Sequence, residues 1–343
     1  MHLRRFLYLP YYLLKTKWRL VFRYSRFVKR EKKISYPKQI REVIYTMIKH
    51  NAAPIDYYSY RFYELPKREW GLFPCMGFMY EFQLRMNPPD ARIVLHDKIK
   101  FLEKFDTLSG RKWASLDYLK RDRKFAENFY DTACSKIVLK KSTGGAGKQV
   151  EVIDGKKYSL ESMLHFMDTE GFNLAEHYIV QHDELMRLSP AAVNTIRIVT
   201  QFLGDRAVIL LSFIRVSVDA DVDNLSINDF GKNFGASIDL ESGEIKNPGI
   251  YLDITKPKVF EHPITKVPVI GFKIPYWNEC KTLAIQAAEL TPENRSIGWD
   301  IAIPNDGPVL VEGNHNWSLL SMVIGSERLK NDFKLYLNSL KKK

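Results

Sequence analysis

The sequence predicts an α+β fold of two lobes rather than a doubly wound parallel sheet. Its 343 residues are 45% apolar and 13% aromatic, enough to bury a sizeable core in two or three lobes. Strand candidates of the second half come in hairpins: NTIRIVTQF and RAVILLSFIRVSV flank LGD, and GWDIAI and PVLVEGN flank PNDG. Hairpins with helices between them along the chain are typical of α+β lobes.

The other elements follow from periodicity and from turn and cap residues. Helix candidates are REVIYTMIKH, YEFQLRMN before the Pro88-Pro89 break, residues 97–105, 116–130 and 159–168, and NECKTLAIQAAEL with Asn278 as its cap. Further strand candidates are KIVLK, QVEVID, HYIVQ and a hairpin ASIDLESGEI around Ser242-Gly243. The first 95 residues are thus mostly helical, and the second half is richer in strands.

Charge and cysteine usage narrow the classes of function. The net charge is +12, yet residues 1–33 hold eleven Lys or Arg and one Glu, which leaves +2 for the other 310 residues. A nucleic-acid enzyme more often spreads its basic residues around the groove in which it works. Cys75, Cys134 and Cys280 lie far apart without C-x-x-C spacing, so a zinc knuckle, a redox pair and a disulfide framework are disfavoured. These features predict a cytosolic protein with reduced thiols.

The basic N-terminal segment, residues 1–33, has two interpretations. Its longest apolar run, nine residues from Phe6 to Leu14, is too short for a membrane span, and no small-residue cleavage site follows it. Apolar residues then recur at helical spacing among basic ones, at Leu14, Trp18, Val21 and Phe22. This pattern fits a basic amphipathic helix on an anionic membrane surface, or a helix packed on the body with its charges in water.

Three glycines beside lysines, in KIVLKKSTGGAGKQVEVID, raise the question of phosphate binding. Lys148 is followed by Gln149 and a strand, so the P-loop pattern fails. A protein-kinase loop fails too, because no H-R-D precedes the DFG at 229–231 and the lysines stand before the glycines. What remains is a glycine turn between two strands, with Lys140 ending the first. Such a turn can fold over a triphosphate, or it can be a plain turn.

The hairpin GWDIAIPNDGPVLVEGN carries a candidate metal site. If the turn centres on Asp306, Asp300 and Glu312 face each other across the hairpin, and Asn314 lies on the same side. Two carboxylates and an amide oxygen are hard ligands that suit Mg²⁺, and a cation would relieve their repulsion. The alternative is a solvent-facing strand end with unrelated acids.

The order of these features resembles the ATP-grasp superfamily. Lysines in HDK and before the glycine turn, the hinge-like HYIVQH, the strand VNTIRIVT and a late D…E-x-N carry the resemblance. SPAAVNTIRIVT, DVDN and IGWDIAI…GPVLVEGN are similar to sugar-transfer-associated ATP-grasp proteins, which are related to α-L-glutamate ligases. The resemblance covers about residues 90–325. It implies two α+β lobes that hold ATP between antiparallel sheets, preceded by a helical extension.

The resemblance also implies domains and site residues. The domains are the basic segment 1–33, a helical region 34–95, lobe A with the glycine loop at 96–183, and lobe B with the metal site at 184–343. The implied site comprises metal ligands Asp300, Glu312 and Asn314; phosphate lysines Lys98 and Lys140; loop glycines Gly144, Gly145 and Gly147; hinge residues Gln181 and His182; Glu184 for the ribose; and Arg197 and Arg215 for the transferring phosphoryl group. A two-residue turn at Gly204-Asp205 would put the two arginines on opposite faces, so that one of them serves.

The predicted function is an ATP- and Mg²⁺-dependent ligase that joins a carboxylate to an amine or another nucleophile through an acyl phosphate, in cell-surface polysaccharide synthesis. A kinase on a sugar or glycan is one alternative, and a non-catalytic membrane-surface adaptor with a vestigial nucleotide site is another. The expected substrate is a small molecule or a glycan, and nucleic acid is not expected. The predicted location is the cytoplasm, peripheral to the inner face of the membrane if residues 1–33 bind there.

Overall fold

A computed structural model describes residues 8–133, 136–144, 149–219, 233–317, 324 and 328–340. Two antiparallel sheets, with helices packed against them and a helical region before them, confirm the predicted α+β fold. The helices are α1 Tyr8–Lys15, α2 Trp18–Lys32, α3 Tyr36–His50, α4 Pro54–Ser59, α5 Met76–Met86, α6 Ile93–His96, α7 Lys98–Lys104, α8 Asp106–Ser109, α9 Leu116–Arg121, α10 Arg123–Asp131, α11 Leu160–Glu170, α12 Asp183–Leu188, α13 Trp277–Glu289 and α14 Lys330–Ser339. The strands are β1 Trp113–Ser115, β2 Lys136–Lys140, β3 Val150–Asp154, β4 Leu174–His177, β5 Ile196–Phe202, β6 Ala207–Ser217, β7 Asn233–Ser237, β8 Ser296–Ala302 and β9 Val309–Asn314.

The smaller sheet has four strands in the order β1-β4-β2-β3. β2 pairs antiparallel with both β3 and β4, and Lys140 at its end lies opposite Leu174. α9, α10 and α11 contribute Leu119, Phe129 and Met163 to a core with the inward side chains of this sheet. Packing one face in this way leaves the Lys140 face for the cleft.

The larger sheet has five strands in the order β7-β6-β5-β8-β9 and is covered on both faces. One face packs on α13 and on Phe101 and Phe105, with Ile198 and Trp299 among its buried side chains. The other face places Phe213 in a second core with the N-terminal helices. Alternation along the strands explains this split, since neighbouring residues point to opposite faces.

The N-terminal helices pack on the body through part of their apolar surface. Tyr24 and Val28 of α2 are fully buried in the core that contains Phe213. Arg23 on the same helix pairs with the buried Asp253 at 2.6 Å. The packed-helix interpretation is therefore correct for this part of α2, whereas Trp18 and Phe22 remain exposed.

Several predicted elements differ in extent from those of the structure. The strand predicted at HYIVQ lies earlier, as β4, and the segment 116–130 forms two helices because Asp122, with extended backbone, ends α9 and caps α10 through the N–H of Phe125. Asn278 does not cap α13, since Tyr276 holds that position with a left-handed backbone. Residues 239–243 turn as predicted, although a single bridge between Glu244 and Lys273 replaces the second strand.

Candidate active site

Asp300 and Glu312 face each other on β8 and β9, as the spacing predicts. Their strands pair directly at these two residues, and the register shifts by one residue between Asp300 and Ile301. Asp300 is fully buried, whereas 49% of the Glu312 side chain is exposed to the cleft. Desolvation of its carboxyl group within the cleft, and then the charge of Asp300, raises the pKa of Glu312 even though half of the side chain is exposed. The pair therefore combines one buried and one accessible carboxylate.

Two arginines of the same sheet clamp Asp300. Arg197 donates from Nε and Nη2 to the two carboxylate oxygens, each at 2.6 Å, and Arg215 donates from Nη2 to Oδ2 at 2.7 Å. Burial would raise the pKa of Asp300, but the two guanidinium charges outweigh it and hold that pKa well below its usual range. Asp300 is thus a stable anion that the two arginines hold in a fixed position opposite Glu312.

The prediction that Arg197 and Arg215 lie on opposite faces is wrong. The turn does have two central residues, but a bulge between Val199 and Thr200 shifts the pairing of β5 with β6 by one residue. Because one inserted residue reverses the parity of every position beyond it, both arginines point to the Asp300 face.

Asn314 completes the cluster of oxygen ligands. Its amide nitrogen lies 3.0 Å from Glu312 Oε1 and 3.3 Å from Asp300 Oδ2. Among the described residues, no group of three or more His, Cys, Asp or Glu side chains is arranged to hold a metal, and both oxygens of Asp300 accept hydrogen bonds from arginines, so a cation here would depend on Glu312 and Asn314. Because a turn of the amide about its last bond would present the oxygen instead, this donor set fits Mg²⁺, which commonly takes one or two carboxylates plus water and phosphate.

Lobe A contributes a second charged centre around Glu176, which the sequence analysis missed. Lys140 Nζ lies 2.9 Å from one oxygen of the buried Glu176 carboxylate, and Arg111 Nε lies 2.6 Å from the other. Burial would raise the pKa of Glu176, but the two cations lower it to about 2. The sequence does carry a signal for this centre. Once β4 is placed at Leu174–His177, Glu176 is an acid within an otherwise apolar strand, and it lies on the same face of the sheet as Lys140.

Lys98 holds the glycine turn. Its ammonium donates to the carbonyl oxygens of Lys141 at 3.0 Å and of Gly144 at 2.9 Å. Gly144 has φ +137°, a conformation that favours glycine. Burial lowers the pKa of Lys98, with Glu312 acting in the opposite direction. Gly145 and Gly147, also predicted for phosphate binding, lie outside the described residues.

One cleft joins the two centres. It has a volume of about 300 Å³. It is lined by Leu95, His96, Lys98, Phe101, Leu102, Arg111, Lys140, Gly144, Glu176, Val311, Glu312, Gly313, Asn314, His315 and Asn316. The structure therefore brings Lys140 of the small sheet and Lys98 at the start of α7 together with the exposed metal candidates of the large sheet.

The predicted hinge residues are placed differently. Gln181 is buried, donates to Ser189 O at 2.7 Å and accepts from the backbone N–H of Asn194 at 2.9 Å. His182 accepts from the N–H of Glu184 at the start of α12, and Glu184 pairs with Arg187 at the surface. None of the predicted hinge and ribose residues lines the cleft described above, so their contacts with a nucleotide stay a prediction.

Arg111 links the two lobes directly. Besides pairing with Glu176, it donates to Leu310 O at 2.7 Å and Val311 O at 3.4 Å on β9. Gly110 beside it has φ +58°, and a Cβ there would lie 2.2 Å from Val309 Cγ1. A glycine is therefore required for the chain to pass this close to β9.

Two histidines close the cleft beyond Asn314. The rings of His96 and His315 lie 4.6 Å apart, edge to face. Burial, followed by the nearby His96 and Arg92, lowers the pKa of His315 to about 4. The end of the cleft next to the metal candidates therefore presents the neutral imidazole of His315.

A family model described as sugar-transfer associated ATP-grasp matches residues 78–335. No curated protein matches the chain in sequence. Among solved structures, the ATP-grasp ligase PsnB complexed with minimal precursor is 13% identical over 75% of this chain and 64% of its own, with a TM-score of 0.42. D-alanine–D-alanine ligase from Bacillus anthracis is 14% identical over 74% and 68%, with a TM-score of 0.43. L-amino acid ligase from Bacillus licheniformis is 11% identical over 73% and 49%, with a TM-score of 0.44.

This chain thus spans less than two thirds of the length of PsnB. Because all three TM-scores are below 0.5, the family assignment depends on the family model, which covers most of the chain.

Proposed function

Because this chain belongs to the sugar-transfer associated ATP-grasp family, we propose that it is an ATP- and Mg²⁺-dependent ligase that joins a carboxylate to an amine or another nucleophile. The observation that carries the proposal is the single cleft in which Lys98 and Lys140 face Glu312 and Asn314. Cations on one wall and oxygen ligands on the other suit a triphosphate with its metal.

The residues of the cleft have separate roles in this proposal. Lys140 and Lys98 bind phosphate oxygens, with Glu176 and the carbonyls of the glycine turn keeping both ammonium groups in the cleft. Glu312 and Asn314 would hold Mg²⁺, with the clamped Asp300 behind them. Mg²⁺, when bound, supplies charge neutralisation on the phosphate oxygens. Arg197 and Arg215 act through Asp300, which both of them contact.

The proposed reaction has two steps. An oxygen of the substrate carboxylate attacks the γ-phosphorus, the bond to the β,γ-bridging oxygen breaks, and ADP leaves. The nucleophile then attacks the carbonyl carbon of the acyl phosphate, inorganic phosphate leaves, and the nucleophile loses its proton to solvent or phosphate. The acid is expected at the end of the cleft beyond Asn314, beside His96 and His315, because that position adjoins the metal candidates.

The biological role within this proposal is the synthesis of a cell-surface polysaccharide. It is supported by the family, whose description associates it with sugar transfer. The reaction would take place in the cytoplasm, where ATP is available, close to the membrane face at which such polymers are assembled. The substrate would then be a sugar acid, an amino acid or a glycan that carries one of them.

Release of ADP and phosphate tests the proposal. We expect Mg²⁺-dependent release of both products with one member of a panel of amino acids and sugar acids. Glu312→Gln should reduce the rate at least about 100-fold, whereas Glu279→Gln, an exposed acid on α13, should leave it unchanged. Wild-type rates in Glu312→Gln would overturn the metal assignment. ADP without phosphate would indicate the kinase, and no ADP with any acid would indicate the adaptor.

A further inference from the structure

The three N-terminal helices leave an unusual amount of apolar surface exposed. Of the twenty-two large apolar side chains that are exposed in the described ranges, ten lie between Tyr11 and Ile48. None of the helices in those ranges combines the length and apolarity that a bilayer crossing demands. Exposed apolar surface of this extent marks a site of interaction with a protein or a membrane.

On α2, aromatic and basic side chains share the exposed face. Trp18 and Phe22 lie 6.0 Å apart between ring centroids, and Phe22 is 59% exposed. Arg19 and Arg26 are exposed beside them, and the opposite face holds the buried Tyr24. An exposed face with rings among cations is the composition of helices that lie in a membrane interface.

On α3, an apolar stripe continues this surface. Ile40, Ile44 and Ile48 recur every four residues and are each at least half exposed. Lys29 of α2 lies over the ring of Tyr36 at 4.4 Å, which joins the exposed faces of the two helices. The exposed aromatic and isoleucine side chains therefore belong to one surface.

The elbow between α1 and α2 forms a separate groove of about 240 Å³ on the Leu20 side of α2, roughly opposite Trp18 and Phe22. Tyr12, Leu20, Ile55 and Met76 line it with apolar atoms, and Lys15 and Lys17 border it. Leu14 at the elbow is 82% exposed.

We propose that this surface docks the protein on an anionic lipid bilayer. The charge decides the occupant: residues 1–33 carry eleven basic residues and one acid, whereas the rest of the chain is nearly neutral. A protein partner would not require so one-sided a charge, but a bilayer with acidic headgroups attracts it along its whole surface. Arg23 and Lys32, by contrast, pair with Asp253 and Glu64 of the body.

Deletion of the whole segment is not a clean test, because α2 also packs in the core. Point variants on exposed side chains avoid this problem. Leu14→Ser with Phe22→Ser removes apolar contact, and Arg19→Glu with Arg26→Glu reverses charge. Matched controls are Phe260→Ser with Ile264→Ser, both exposed, and Lys156→Glu with Lys157→Glu.

Flotation of the full chain measures the binding. The vesicles are phosphatidylcholine alone and an equimolar mixture with phosphatidylglycerol. We expect the wild type and both controls to float with the mixture, in a salt-sensitive way, and far less with phosphatidylcholine. Each N-terminal double variant should lose affinity by about tenfold or more.

Three outcomes would overturn the proposal: no flotation of the wild type with anionic vesicles, N-terminal variants that float like the controls, or an RNA oligomer that binds while vesicles do not. Melting temperatures verify folding of every variant. The test does not depend on turnover, so a failed ligase proposal would leave the membrane result intact.

Discussion

Each sheet places one buried carboxylate between two cations, yet the two centres differ in what they hold. Glu176 of the small sheet contacts Lys140, which reaches the cleft, and Arg111, which reaches across to β9. Asp300 of the large sheet contacts Arg197 and Arg215, both from its own sheet. In lobe A an anion therefore positions a lysine that lines the cleft, whereas in lobe B two arginines fix an anion.

The difference follows from the reach of the side chains. An arginine offers a planar fork that fits a carboxylate with two bonds, so Arg197 locks Asp300 in place. A lysine is a point charge on a flexible stem, so Lys140 can turn from Glu176 toward a phosphate. The structure thus combines a carboxylate, Asp300, that is fixed beside Glu312 with a lysine, Lys140, whose side chain can exchange one anionic partner for another.

A third buried acid sharpens the contrast. Asp56 accepts from the backbone N–H groups of Ala53 and Met76, and the cation that acts on its pKa, Lys330, has a smaller effect than either hydrogen bond. Burial raises its pKa to about 7, although those two hydrogen bonds act in the opposite direction. Burial is thus common to all three acids, and the neighbouring cations decide the direction of the shift.

The largest effect is expected from Asp300→Asn. The variant leaves two buried guanidinium groups without their counter-charge, so the free energy of unfolding should fall by about 3–5 kcal/mol. Urea unfolding should show that Glu312→Gln is much less destabilised than Asp300→Asn. Glu312 is half exposed, and removal of its charge relieves its repulsion with Asp300. Equal stability of the two variants would contradict the clamp.

The pH dependence of stability should separate Asp56 from Glu176. The raised pKa of Asp56 means that the folded state binds the proton more tightly, so stability falls as pH rises from about 4 to 7, by up to about 4 kcal/mol. The lowered pKa of Glu176 means that its contribution is lost as pH falls from about 4 to 2. In Asp56→Asn, the free energy of unfolding should no longer fall between pH 4 and 7, while the loss below pH 4 should remain. An unchanged pH profile would refute the assignment to Asp56.

Lys140→Ala tests whether the Lys140 ammonium group binds the phosphates of ATP. ATP affinity should fall about 10- to 100-fold, because a charge-assisted bond to phosphate is lost, while adenosine affinity should stay unchanged. Stability should fall by about 1–3 kcal/mol, less than in Asp300→Asn, because the buried Glu176 loses one cation but keeps Arg111. Titration calorimetry with both ligands measures the difference, and equal losses would mean that Lys140 is structural.

The smallest effect is expected from Arg111→Lys. The charge beside Glu176 remains, but the bonds to β9 are lost, so stability should fall by about 1–2 kcal/mol. Because those bonds join the two walls of the cleft, the KM for ATP should also rise. Arg23→Lys, which alters the pair with Asp253 outside the cleft, is the control: it should lower stability without a change in KM.

Local spacing was sufficient for much of the candidate site. Asp300 and Glu312 are joined by one short turn and pair as the count outward from Asp306 predicts, with Asn314 two residues further on. The turn itself is centred between Asn305 and Asp306, however, and the pairing holds because of the bulge after Asp300. The lysines before the glycine turn came from the order of elements. The two hairpins and the concentration of charge in residues 1–33 are likewise properties of contiguous sequence.

The remaining contacts join residues that are distant in sequence or depend on a local irregularity. The bulge after Val199 puts Arg197 and Arg215 on one face, and periodicity does not reveal a single inserted residue. Glu176 meets Arg111 and Lys140 because three strands lie side by side, and Arg23 meets Asp253 because α2 packs on the body. Side-chain charges and alternation are encoded locally, whereas which charges neutralise each other depends on the packing of whole elements.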